Sequence, residues 1–190
     1  MSKLSVFNSI TLDGFFTDPN NDMSAFHRHH DPEWNKFTSE NAASGNGALL
    51  FGRKTYEMMK SFWPTEMARK QLPKVSEAMD RLEKIVFSTT MKDPGWTNAR
   101  VIGGNLASEV KKLKAADGGD MLIMGSGSII SQLTKERLID RYTIVIWPFL
   151  LGAGRTMFEG LDGIVDLKKV DEKQFENGNI VATYELATKT

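Results

Sequence analysis

Two short stretches of the chain end an apolar run on glycine and then present hydroxyl groups, the first with two basic residues as well. They are Ala48-Leu49-Leu50-Phe51-Gly52-Arg53-Lys54-Thr55-Tyr56 and Met121-Leu122-Ile123-Met124-Gly125-Ser126-Gly127-Ser128-Ile129. Each reads as a strand turning into a helix. Such a turn leaves unpaired backbone N–H groups at the positive end of the helix, where a phosphate binds. Arg53 adds a planar charged fork suited to a phosphate monoester, with Lys54 and the Thr55 hydroxyl beside it. The second turn brackets Ser126 between Gly125 and Gly127 and runs on through Ser128 and Ile129. It is not a full G-x-G-x-x-G, because Ile130 or Ser131 stands where the third glycine belongs. It is not a Walker A loop either, because no Gly-Lys-Ser/Thr follows. An ordinary strand-to-helix connection explains either turn alone, and a serine-capped helix start explains the second. Two such turns in one small chain predict a ligand with several phosphates.

Other candidates cluster at strand ends. Ser88-Thr89-Thr90 follows a buried strand, and ligands of open α/β sheets bind outside the carboxyl ends of strands. Three hydroxyls there suit a phosphate or ribose; a plain polar strand end has the same letters. Gly103-Gly104-Asn105 ends the next strand and either serves the same crevice or caps the helix at Leu106. Asp13-Gly14 ends the first strand, where a carboxylate can orient a polar heterocycle or relay a proton, or simply make a turn. His27, His29 and His30 lie near Asp22 and Asp31 but lack any metal-ligand register, so a solvated loop is the expectation and no metal site is assigned. Trp63, beside Phe62 and Pro64, either walls an aromatic pocket or packs in the core.

These residues need strands and helices to hold them. Leu4 to Leu12 reads as a strand broken at Asp13-Gly14, and residues 17 to 31 as a loop. Asp31-Pro32 starts a helix with Trp34, Phe37 and Asn41 on one face. Ala48 to Phe51 is a buried strand, followed by a helix to about Lys60; residues 61 to 75 read as irregular. Lys84 to Ser88 and Arg100 to Ile102 are strands. Leu106, Val110 and Leu113 mark a helix stopped by Asp117-Gly118-Gly119. Met121 to Met124 is a strand whose helix runs to Leu133. Tyr142 to Leu151 is an apolar strand interrupted by Pro148. Val165 to Phe175 and Ile180 to Leu186 form a hairpin through Asn177-Gly178. Strands alternate with helices first and pair directly last, which predicts an α/β fold: a mixed, mostly parallel sheet flanked by helices, with a C-terminal antiparallel hairpin.

The totals bound the class. At 190 residues the chain suits one domain over residues 1 to 190 with a sizeable core. Lys plus Arg and Asp plus Glu are both 24, which argues against a nucleic-acid footprint. There is no cysteine, so disulfides, thiolate metal sites and cysteine nucleophiles are absent. The first residues lack signal-peptide architecture, and no apolar stretch is long enough to span a bilayer; a cytoplasmic protein without membrane partners is the expectation.

In series, the motifs resemble the dihydrofolate reductase superfamily, in the branch shared with the C-terminal reductase domain of the bacterial bifunctional riboflavin enzyme. The matching pieces are Ser9-Ile10-Thr11-Leu12-Asp13-Gly14, Leu50-Phe51-Gly52-Arg53-Lys54-Thr55-Tyr56-Glu57, Val86-Phe87-Ser88-Thr89-Thr90, Met124-Gly125-Ser126-Gly127-Ser128 and Pro148-Phe149-Leu150-Leu151-Gly152-Ala153-Gly154-Arg155. They keep their family order and cover most of the chain. The resemblance implies a three-layer mixed-sheet fold, NADPH as cofactor, and reduction of a C=N or C=O bond in a small heterocycle of pyrimidine or pterin type. It places the cofactor phosphates on Gly52, Arg53, Lys54 and Thr55, its 2′-phosphate side toward Ser88, Thr89 and Thr90, and its pyrophosphate at Gly125, Ser126, Gly127, Ser128 and Ile129, with Gly104 in the same crevice. Asp13 and Gly14 would line the nicotinamide and substrate region, with Asp13 as the catalytic acid or orienting group and Trp63 as a substrate wall. A homodimer is implied as well. The alternative is a sensor that binds NADPH or flavin, or a degenerate reductase without turnover.

Overall fold

The computed structural model describes residues 1–29, 31–116 and 118–187, with the side chains of all of these except residues 27, 29 and 43. In chain order the first elements are β1 (Leu4–Thr11), β2 (Phe15–Thr17), a 3-10 turn (Ser24–His29), α1 (Pro32–Ser44), β3 (Ala48–Gly52), α2 (Arg53–Phe62), α3 (Glu66–Gln71) and α4 (Pro73–Arg81). There follow β4 (Glu83–Phe87), β5 (Ala99–Ile102), α5 (Leu106–Ala115), β6 (Met121–Met124), α6 (Gly127–Lys135), β7 (Arg141–Trp147), β8 (Arg155–Thr156), β9 (Leu167–Gln174) and β10 (Ile180–Leu186). Eight strands form one sheet in the order β5-β4-β3-β6-β1-β7-β10-β9. The strands from β5 to β7 are parallel neighbours, while β10 runs antiparallel to both β7 and β9. A small ribbon of β2 and β8 lies apart.

Alternation along the strands divides the core into the two faces of the sheet. On one face Leu50, Ile123, Val6 and Ile144 pack with Val110 of α5 and Ile129, Ile130 and Leu133 of α6. On the other, Leu49, Phe51 and Val86 pack with Tyr56 of α2 and Val75, Ala78 and Met79 of α4. Further along that sheet, Trp34 of α1 meets Trp147 and Phe175 edge-on, both at 5.3 Å between ring centroids. The Asp31 carboxylate caps α1 by accepting from the Trp34 N–H at 2.7 Å.

Several sequence expectations change. Residues 61 to 75 are not irregular: Thr65 caps α3 by accepting from Ala68 N–H at 3.2 Å, and Pro73 opens α4. A proline in the first turn loses no helical hydrogen bond, so it starts this helix instead of breaking one. β7 ends at Trp147, before Pro148, instead of continuing to Leu151. Asn41 is exposed and leaves the packed face of α1 to Trp34 and Phe37. The ribbon was not anticipated; strands of three and two residues are too short to show alternation. His30 and Asp117, together with the His27 and His29 side chains, lie outside the described residues.

Lys84 is an unusual core member, wholly buried in β4. Its Nζ donates to the carbonyls of Met79, Asp80 and Leu82 at 2.6, 3.1 and 2.8 Å and sits 4.7 Å from the centre of the Trp96 ring. It thereby takes up carbonyls at the end of α4 that have no helical partner. Burial pushes its ammonium down to about 8, against a smaller opposing pull from Asp80.

Candidate functional site

β3 and β6 are neighbours in the sheet, so the two glycine turns leave it side by side. They are hydrogen-bonded to each other. The Gly52 N–H donates to Ser126 Oγ at 3.0 Å, and the Ser126 N–H donates to Thr55 Oγ1 at 3.2 Å. Gly125 and Ser126 adopt left-handed backbone, with φ of 62° and 56°. That conformation swings the Ser126 side chain back onto the first turn. Ser126 therefore makes no side-chain cap on α6; the serine-cap reading of this turn is replaced by a turn-to-turn clasp.

From these turns α2 leaves toward one face of the sheet and α6 toward the other, as their buried residues show. A crevice opens where helices depart to opposite faces, and ligands of open α/β sheets bind there. Here it is a groove of about 430 Å³. Gly52, Arg53, Lys54 and Thr55 line it from the first turn, and Ser126, Ser128 and Ile129 from the second. Ser88, Thr89 and Thr90 line it from the end of β4, and Gly104 from the end of β5. The first two N–H groups of each helix lack helical partners by geometry, while the Ile129 N–H already donates to the Ser126 carbonyl at 2.9 Å, so the groove combines amide donors, hydroxyls and a guanidinium. That donor set fits phosphate groups.

Not every expected residue lines the groove. A Cβ at Gly125 would lie 2.8 Å from Thr55 Cγ2, and one at Gly127 2.6 Å from Phe16 Cζ, so both glycines are explained by packing inside the protein. Phe16 belongs to β2, and the ribbon thus rests on the start of α6. The sequence reading missed Phe87, Ile102, Leu106 and Gln132, which also line the groove. Ile102 and Leu106 give it an apolar side. Gln132 stands one helical turn beyond Ser128 and donates from Nε2 to the Ser128 carbonyl at 3.0 Å. The i, i+4 spacing from Ser128 was the signal that would have found it.

Asp13, Gly14 and Trp63 are not among the groove residues. The Asp13 carboxylate accepts from Thr11 Oγ1 at 2.5 Å, from Gly152 N–H at 2.8 Å and from Leu151 N–H at 3.1 Å. The Thr11 hydroxyl first, and then the Gly152 amide, hold it below the usual carboxylate value of 3.8. A carboxylate held ionised by three donors is no proton source near neutral pH; it ties the loop after β1 to the loop after β7. Trp63 donates from Nε1 to Met59 Sδ at 3.2 Å, meets Phe62 edge-on and packs against the core cluster beneath α2 and α4.

A second cleft of about 330 Å³ adjoins the groove and shares Arg53 and Thr90 with it. It lies between α2 and the 90–94 segment. Tyr56 Oη and Lys60 Nζ both donate to the Pro94 carbonyl, at 3.0 and 2.9 Å, and pin that segment down. Burial, with help from Asp93, pushes the Tyr56 phenol up to about 12, so it stays a neutral strut. Among the described residues no group of three or more His, Cys, Asp and Glu could hold a metal ion.

Comparison with known proteins sets this geometry in a family. An uncharacterised Bacillus subtilis protein, YyaP, is 26% identical over 176 residues, covering 93% of this chain and 90% of its own. A solved structure of a putative riboflavin biosynthesis protein from a Shewanella species superposes with a TM-score of 0.78 at 22% identity, covering 99% of this chain and all of its own. Enterococcus faecalis dihydrofolate reductase, solved with NADP(H), has a TM-score of 0.66 at 17% identity over 98% of this chain and 97% of its own. A Thermotoga maritima diaminohydroxyphosphoribosylaminopyrimidine deaminase/5-amino-6-(5-phosphoribosylamino)uracil reductase gives 0.68 at 16% over 98% of this chain but 57% of its own. At these identities the structures show the fold, which is dihydrofolate reductase-like: a mixed, mostly parallel sheet between helices with antiparallel strands at its C-terminal end. The RibD C-terminal domain family matches residues 2–181, and the chain belongs to that family.

Proposed function

We propose that the chain is an NADPH-dependent reductase of a small heterocycle, of pyrimidine or pterin type, built as one domain. The observation that carries this reading is the clasp between the two turns, which makes two helix starts and four strand ends into one groove lined by groups that bind phosphate. Thr55 and Ser128 would hold the pyrophosphate, and Arg53 with Ser88, Thr89 and Thr90 the ribose end and its 2′-phosphate. Ile102 and Leu106 suit the flat face of a base. When bound, the cofactor supplies hydride; the chain's own residues bind it, orient it and exclude water. Asp13 would position the loops beside the reacting end. A second reading, a nucleotide-binding sensor or degenerate reductase, draws on the three donors that occupy Asp13 and leave it without a proton to give.

A homodimer in the cytoplasm completes the proposal. β9 is an edge strand exposed along its whole length, and such edges invite pairing. Sedimentation at the mass of one chain, 21.3 kDa, would remove the dimer from this account. Among the described residues no helix is long and apolar enough to cross a membrane.

Titration with NADPH, NADH and FMN tests the cofactor. NADPH should bind tightest, and Arg53→Ala should weaken it by about ten-fold, the loss of one charge-assisted hydrogen-bonded contact. Equal binding of the two nicotinamides, or none, would overturn the NADPH reading. Binding without turnover on a panel of pterins, pyrimidines and carbonyl compounds would favour the sensor.

A further inference from the structure

The guanidinium that faces the groove is not free. Arg53 Nη1 lies 3.3 Å from Glu57 Oε1, one helical turn along α2, and both side chains are about half exposed. Glu57 does not line the groove; with Arg53 it lines the adjoining cleft. That cleft has fixed walls, because Tyr56 and Lys60 anchor the 90–94 segment to α2 through the Pro94 carbonyl. A ligand group that reaches Arg53 from the groove therefore enters a space that already holds a carboxylate.

The two possible arrivals respond to Glu57 in opposite ways. A phosphate must displace the carboxylate from the guanidinium and then carry two negative charges close to it. A ribose hydroxyl pays no such penalty and can donate to a carboxylate oxygen; acidic side chains recognise unphosphorylated dinucleotides in this manner elsewhere. Resting on the dinucleotide reading above, we propose that Glu57 is a specificity-determining residue. Through its ion pair with Arg53 it weakens the hold on a 2′-phosphate and supports a free 2′-hydroxyl, setting the preference for NADPH over NADH below what Arg53 alone would give.

The pair is solvent-exposed, so the effect is modest and screened by salt. The test is the ratio of NADH to NADPH dissociation constants, measured on the full chain by quenching of tryptophan fluorescence. Glu57→Gln is expected to raise that ratio about five-fold, chiefly by tightening NADPH, and the gain should shrink in half-molar salt. In an Arg53→Ala background the same substitution should change the ratio much less, because the two residues act as a pair. Glu57→Ala serves as a second variant without an amide. An unchanged or lowered ratio in both variants, with dinucleotide still bound, overturns the role of Glu57 while leaving the cofactor reading intact. Failure of the unmodified chain to bind either dinucleotide overturns both.

Discussion

At the residue scale, Asp13 shows a carboxylate used as a fastening. It accepts from Thr11 beside it and from the backbone of Leu151, 138 residues away in sequence. From the letters Asp-Gly alone, a turn residue, an orienting group and a proton relay are indistinguishable; only the fold brings residues 151 and 152 to it. The hydrogen bonds favour the ionised form, so the folded pKa lies below the unfolded value near 3.8. The stability this contributes is present above the unfolded value and is lost as pH falls through the folded one. Thermal melts taken from pH 6 down to pH 3 should therefore show a steeper loss for the unmodified chain than for Asp13→Asn. Parallel curves would mean that the carboxylate contributes nothing as a fastening. Ser126 makes the same point about legibility: the sequence marks it as a phosphate ligand or cap, yet its left-handed backbone turns its hydroxyl onto Gly52. Sequence separations of 71 and 74 residues hid that clasp.

At the element scale, the regular parts of the fold are legible because burial imposes its period on them. The apolar runs at Leu49 to Phe51, Met121 to Met124 and Tyr142 to Trp147 are all strands, and Asn177-Gly178 joins the final hairpin. α4 escaped because its opening proline reads as a breaker when the helix that follows is not sought. Its end depends on Lys84, whose buried ammonium satisfies three carbonyls. Lys84→Met should destabilise the fold by about 1–3 kcal/mol, since the Met79 and Leu82 carbonyls lose the ammonium donor while the Asp80 carbonyl keeps Asn98 Nδ2 at 3.2 Å. The pH dependence has a definite sign. The folded Lys84 pKa of about 8 lies below its unfolded value of 10.5, so the unfolded chain binds more protons between them and stability rises with pH over that window. Tyr56 opposes this above pH 10, since its phenol is raised to about 12 and its contribution is lost as pH climbs toward that value. Denaturant titrations between pH 8 and pH 10 should show the rise in the unmodified chain and a flatter profile in Lys84→Met. Identical slopes would contradict the assignment.

At the scale of the whole molecule, the sheet order explains why the site is where it is. β3 leads through α2 on one face toward β4, while β6 leads through α6 on the other toward β7. The crevice between them gathers the ends of four strands, and the hydroxyls of Ser88 to Thr90 reach it from a strand two places from β6. The order of motifs along the chain was enough to place these residues together, because that order carries the topology. The apolar side of the groove was not legible, since Ile102 and Leu106 look in sequence like any core residues. The central claim is that the two turns are halves of one dinucleotide cradle. Backbone hydrogen exchange with and without NADPH tests it most directly: the account predicts joint slowing at residues 53–54 and 127–128, whereas protection of one turn without the other, or of neither, would contradict it.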